Sequence, residues 1–192
     1  LLIGGGDVEQ DLVPADLYVV DDDSLRPTAF PNRARRRHAA VRLASGEVLV
    51  AGGEIYSGGL TPTNEAELYV PAIESFVLLD DLFHARQGGG GLLRDDGEAV
   101  IVGGAEAASA ELGWPWKSLA SVDIFDPVQA GWLSPNTFAL SLTFGRNDVQ
   151  VLQDMGVTVV VGGIHHVGVL ANGVPGAIPT FFIERLVPVD DL

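Results

Sequence analysis

The chain contains no cysteine, and that single absence removes disulfides, thiolate metal sites and thiol nucleophiles together. No run of eighteen apolar residues occurs, so no transmembrane helix is expected. Basic residues are few: 11 Lys and Arg stand against 26 Asp and Glu, a net charge of −15. Nucleic-acid binding needs a basic footprint, and the charge argues against it, while basic partners or divalent cations fit an acidic protein. Sequence signatures of a serine-hydrolase elbow, a Walker loop, a zinc-protease helix or a dinucleotide fold are missing too. The Gly88–Gly91 run lacks the following helix that phosphate binding requires and reads as a close-packed inner strand. There is no initiating Met and no leader, and the first residues read as the inside of a strand; an excerpt or a processed product is expected.

What is present is repetition. In HAAVRLASGEVLVAGG, residues 38–53, an alternating strand meets a Ser-Gly-Glu turn, then a short aliphatic strand, then Gly52-Gly53. DDGEAVIVGG and DMGVTVVVGG repeat the phrase: Gly46, Gly97 and Gly156 each stand six residues before Gly52, Gly103 and Gly162. The pairs Gly5-Gly6, Gly52-Gly53, Gly103-Gly104 and Gly162-Gly163 recur at intervals of 47 (5 to 52), 51 (52 to 103) and 59 (103 to 162) residues. After each pair comes an acidic residue (Asp16, Glu67, Asp123, Glu184), and two residues later a bulky one (Tyr18, Tyr69, Phe125, Leu186). Seven residues beyond that, a large apolar side chain returns as Leu25, Phe76 and Trp132. A period near fifty with strands ending on paired glycines is the mark of a propeller-type array.

Paired glycines, then Tyr, then Trp about seven residues on, resemble the kelch repeat over nearly the whole chain. Trp132 alone keeps the Trp position, Leu186 replaces the Tyr, and His38 before the first strand gives way to Gly89 and Asp148. The resemblance implies an all-β fold: a β-propeller segment of about four kelch-like four-stranded blades, near 1–34, 35–84, 85–135 and 136–192. The first and last blades come out incomplete, so a piece of a larger propeller of about five to seven blades is expected, with a four-bladed ring as the alternative. The stretches between the second and third strands of each blade lengthen along the chain, with 9, 13, 18 and 20 residues between glycine pair and acid. Such connections on a rigid scaffold are where function concentrates, and they share one face with the segments leading into each inner strand.

Candidate binding residues fall on that face. Arg33, Arg35, Arg36 and Arg37 would clamp an anion bidentately. The structural alternative pairs them with this acidic chain's carboxylates, and Arg86 and Arg146 at the equivalent place favour it. Trp114, Trp116 and Lys117 in GWPWKS, with Tyr56, would anchor an interface or stack on sugar rings; equally, the Trp side chains would pack back onto a blade. AEAASAEL just before them reads as one or two helical turns. His165-His166 would hold a metal only if the chain bends there, because adjacent strand residues point to opposite sides. The runs Asp21–Asp23, Asp80-Asp81, Asp95-Asp96 and Asp190-Asp191 lack calcium-loop spacing and read as solvated turns.

The expected function is a non-catalytic binding or interaction module that recognises a protein or a glycan and needs no cofactor. Its other expected partners are the remaining propeller blades or another subunit. A part of a kelch enzyme of the copper radical oxidase kind stands as the alternative, its catalytic residues outside this segment, since that chemistry uses a Tyr–Cys cross-link. A structural subunit of a larger assembly is a third reading. A single lysine among many Ala, Gly, Val and Arg suggests a bacterial source, and the resemblance implies a secreted or cell-envelope location.

Overall fold

The computed structural model describes residues 14–108, 116–134, 141–154, 157–169, 175–179 and 183–186. Among them there is no α-helix; the one helical element is a 3-10 turn, Pro71–Ile73. Among the described residues four main antiparallel sheets follow one another along the chain, with three separate two-stranded hairpins standing beside sheets II to IV. Sheet I is the hairpin β1 (Asp16–Val19) and β2 (Ser24–Pro27). Sheet II runs β3 (Ala39–Arg42), β4 (Val48–Ala51), then the side hairpin β5 (Glu54–Tyr56) and β6 (Leu60–Pro62), then β7 (Ala66–Val70) and β8 (Ser75–Leu78). Sheet III repeats this with β9 (Gly90–Leu93), β10 (Ala99–Val102), the side hairpin β11 (Ala105–Ala107) and β12 (Trp116–Ser118), β13 (Val122–Asp126) and β14 (Gly131–Leu133). Sheet IV has β15 (Gln150–Asp154), β16 (Val157–Val161), the side hairpin β17 (Ile164–Val169) and β18 (Pro175–Pro179), and β19 (Ile183–Leu186). No sheet closes on itself among the described residues. Gly5 and Gly6, Trp114 and the acidic run at 190–191 lie outside the described residues.

The core lies between sheets. Leu49 and Ala51 of β4 pack with Ala99, Ile101 and Phe125 of sheet III. Val100, Val102, Val122 and Ile124 of sheet III pack with Val149, Val160 and Leu186 of sheet IV. Ala15, before β1, joins Val50, Tyr69 and Phe76 of sheet II. Strand β10 therefore sends alternate side chains to opposite neighbours and is buried throughout, which is why its sequence, AVIV, is apolar at every position. The inner strands β3, β9 and β15 lie side by side. A Cβ on Gly90 would stand 2.5 Å from Val151 Cγ2, and one on Gly91 2.6 Å from Val41 Cγ2, so the glycine run makes room for both neighbours.

The seven-residue spacing has a simple origin. Tyr18 faces Leu25, Tyr69 faces Phe76 and Phe125 faces Trp132 directly across a hairpin. The ring centroids of the last two pairs are 5.0 and 5.3 Å apart, within the range of favourable aromatic contact.

The paired glycines have one job in sheets II to IV. Gly52, Gly103 and Gly162 have φ of +64°, +64° and +66°, and the chain leaves the central strand there. A Cβ on Gly103 would lie 2.5 Å from the carbonyl oxygen of Arg146 in the next sheet, whereas one on the equally left-handed Gly97 would meet nothing within 4 Å. Gly103→Ala is accordingly expected to cost about 2 to 3 kcal/mol, and Gly97→Ala about 1 kcal/mol, from backbone conformation alone. Urea midpoints for the two variants check this; equal losses would refute the close-approach argument.

Candidate functional site

In each of sheets II to IV the connection between the second and third strands is a β-hairpin, where a loop was expected. Ala105–Ala107, the start of the expected helical turn, is extended for the same reason: it pairs with Trp116–Ser118. Residues 109–112 lie outside the described residues. The hairpins stand next to one another, β6 against β11 and β12 against β17. The segment entering each inner strand joins them through isolated bridges, Arg36 with Glu54, Gln87 with Ala105 and Asn147 with Ile164. Side hairpins and incoming segments thus build one face, as strand order dictates: in an antiparallel sheet both connections leave from the same end.

The incoming segments carry the repeat's least obvious feature. Arg35, Arg86 and Arg146 are buried at 4, 1 and 2% exposure, each turned back into its own sheet. Arg35 donates to the carbonyls of Gly52 (2.9 Å) and Glu65 (2.8 Å) and lies 3.1 Å from the Glu67 carboxylate. Arg86 donates to the carbonyls of Gly103 and Ser121 and, at 2.7 Å, to Asp123 Oδ2. Arg146 bonds the Gly162 carbonyl and Glu184. Burial pushes the Arg35 and Arg86 guanidinium groups below their ordinary value, and the facing carboxylates oppose the shift. Arg35 is therefore a sheet-internal clamp and does not reach the open face.

The other candidate cations do reach it, and each has a carboxylate partner. Arg33 lies 3.2 Å from Glu65, Arg36 2.6 Å from Glu54, and Lys117 2.8 Å from Glu106 across its hairpin. Arg37 Nη2 donates to both carboxylate oxygens of Asp148, at 2.6 and 2.9 Å, and Nη1 donates to Gln87 Oε1 at 3.2 Å. This pair reaches from sheet II to sheet IV over sheet III. It can do so because Gly88 stands between: a Cβ there would sit 2.5 Å from Asp148 Oδ1 and 3.1 Å from Arg37 Nη2. Arg37, Gly88 and Asp148 all have positive φ (+55°, +64° and +55°), and they are linked by Gly88 N–H to Arg37 O and Asp148 N–H to Gly88 O. Strain at two non-glycine residues is thus held in place where the pair crosses sheet III. Asp148 is the counterpart of Arg37, so the place of His38 is taken in sheet IV by Val149. From Gln150 to its cross-strand partner Val161 is 11 residues, against 12 from Gly90 to Val102, and counting back from Gly156 misses the shift.

His165 and His166 point apart and are separately engaged. His165 Nδ1 donates to the Gly145 carbonyl, and its ring lies 6.2 Å from that of Phe144. His166 Nδ1 lies 2.9 Å from Ser118 Oγ, which also accepts the His166 backbone N–H at 3.0 Å. Burial pushes the His166 imidazole down. Among the described residues no three metal-ligating side chains converge. Of the aromatic candidates, Trp116 is half-buried on β12 and Tyr56 is 41% exposed at the end of β5. Phe83 and Phe144, 49 and 54% exposed on the incoming segments, went unnoticed in the sequence. Their signal was available: they stand three and two residues before Arg86 and Arg146.

No protein-family model and no curated protein matches the chain. The solved structure of YjhT, a kelch-type propeller, is similar over 90% of this chain, with a TM-score of 0.58 and 18% identity. At that identity the likeness concerns the fold. The match takes in 58% of the YjhT chain, so this chain spans less than two thirds of its neighbour's length.

Proposed function

We propose that the chain is built of about four divergent kelch-like propeller blades and serves as a non-catalytic binding module. Its ligand is a protein or a glycan, met by the face of stacked hairpins. One observation carries this reading: the face sets Tyr56, Trp116, Phe83 and Phe144 among cations that are already paired with carboxylates. Paired guanidinium groups are poor receptors for a free anion, whereas aromatic rings among fixed polar groups suit peptide side chains or sugar rings. Among the described residues no helix is long and apolar enough to cross a membrane.

The test compares Trp116→Ala and Phe144→Ala with the unaltered chain on a glycan array and a peptide library. Loss of an interface ring costs on the order of 2 kcal/mol, roughly thirtyfold in affinity, at an unchanged urea midpoint. Unchanged binding with a lowered midpoint would make the rings packing residues and remove the hairpin face from consideration.

A further inference from the structure

One position of the repeat carries three different side chains. Arg37, Gly88 and Asp148 occupy it in sheets II, III and IV, at φ of +55°, +64° and +55°. Glycine suits this backbone, and Gly88 takes it without strain. Arginine and aspartate accept the strain in the other two sheets, so the turn itself does not account for them. Their side chains meet over Gly88, and four side-chain acceptor atoms gather there. Arg37 donates to both oxygens of Asp148 and to Gln87 Oε1. Asn147 Nδ2 donates to Asp148 Oδ2 at 2.9 Å, which leaves its own Oδ1 one amide group away. That oxygen is buried without a hydrogen-bond partner, on a residue only 3% exposed.

The backbone that carries these acceptors is fixed without the help of the Arg37 guanidinium. Gln87 exchanges two hydrogen bonds with Ala105, Asn147 exchanges two with Ile164, and Asp148 N–H donates to Gly88 O. The Arg37 and Asp148 side chains, in contrast, are 36 and 45% exposed, so water screens their attraction. When the guanidinium swings out, it leaves both Asp148 oxygens, Gln87 Oε1 and Asn147 Oδ1 as a preorganised set of acceptors.

We infer that this set is a receptor for an arginine side chain of a basic protein partner, and that Arg37 fills it as an internal stand-in in the free chain. A guanidinium brings a planar fork of donors, and one arriving from outside has a donor to spare for Asn147 Oδ1, which Arg37 leaves unserved. An anion meets only a carboxylate and a guanidinium that is already paired. The net charge of −15 draws a basic partner in. The inference rests on the reading of the hairpin face as the binding face and narrows its partner to a protein with an exposed arginine.

Titration of the nitrogen-15-labelled chain with the blocked peptide acetyl-Gly-Arg-Gly-amide, up to about 10 mM, tests it at the amide signals of Gly88 and Asp148. The wild type should bind weakly, because Arg37 competes for the same acceptors. Arg37→Gly, which copies sheet III, and Arg37→Gln should each bind at least about tenfold more tightly. Asp148→Asn should abolish binding, and the same peptide with citrulline, the uncharged counterpart of arginine, should not bind. Both Arg37 variants should melt like wild type by circular dichroism; if one melts early, the other carries the comparison. Equal affinity in wild type and the Arg37 variants, binding that survives Asp148→Asn, or shifts confined to the acidic turns at Asp21–Asp23 and Asp95-Asp96 would each overturn the inference. The probe needs no aromatic contact, so that failure would leave the outcome at Trp116 and Phe144 to decide the hairpin face by itself.

Discussion

Replacing Arg86 with methionine is expected to remove about 3 to 5 kcal/mol of folding stability, more than any surface ion pair on this molecule would cost. The Asp123 carboxylate is fully buried and the Arg86 side chain is 1% exposed. Without the guanidinium, Asp123 keeps only His84 Nδ1 at 3.4 Å, and the carbonyls of Gly103 and Ser121 lose a donor. An unpaired buried charge carries the cost; the pair itself, set against an apolar replacement, is worth much less. The double variant Arg86→Met, Asp123→Leu should therefore recover part of the loss. Arg26 and Glu74 provide the contrast: they too are bonded twice, at 2.6 and 3.2 Å, but both are about half exposed. Arg26→Ala should cost far less than Arg86→Met, because water screens the exposed pair. Urea denaturation of the four proteins checks the ranking, and a loss at Arg86 no larger than at Arg26 would reject the clamp as a folding element.

The Arg86 clamp also marks where the sequence stops being readable. Strand positions were legible because each rests on local chemistry. Paired glycines end the central strand, and an interval of seven residues is fixed by a hairpin turn, so both recur at constant spacing. The partner of each buried arginine is not local. From Arg35 to Glu67 is 32 residues, from Arg86 to Asp123 is 37 and from Arg146 to Glu184 is 38. Each interval spans a side hairpin of different length, and so the pairing has no fixed spacing to betray it. For the same reason PNRARRRH reads as one basic cluster, although Arg35 turns inward while Arg33, Arg36 and Arg37 turn outward to separate carboxylates. Extended backbone separates neighbours in space, and composition records only their proximity in sequence. The Arg37–Asp148 pair was hidden because the register of β15 on β16 closes one residue sooner than that of β9 on β10.

His38 should make the fold sensitive to mild acid. It precedes the inner strand β3, beside Gly53, whose Cβ would lie 3.1 Å from that of His38. Its Nδ1 is buried without a hydrogen-bond partner. Burial, helped by the nearby Arg35 charge, pushes the imidazole down to about 4, from an ordinary value near 6.5. Between those two values the unfolded chain takes up a proton that the folded chain refuses. The stabilisation is therefore complete above about pH 6.5, falls as the pH drops toward 4, and changes no further below that. The shift corresponds to about 3 kcal/mol across the window. Val149 occupies the same place in sheet IV, which makes His38→Val a natural non-titrating comparison. The chain's carboxylates titrate in both proteins and largely cancel in the difference. Urea unfolding at pH 7, 5.5 and 4 should show the variant gaining on wild type by about 3 kcal/mol over that range. A difference that stays constant with pH would mean that His38 is solvated in the folded chain and titrates normally.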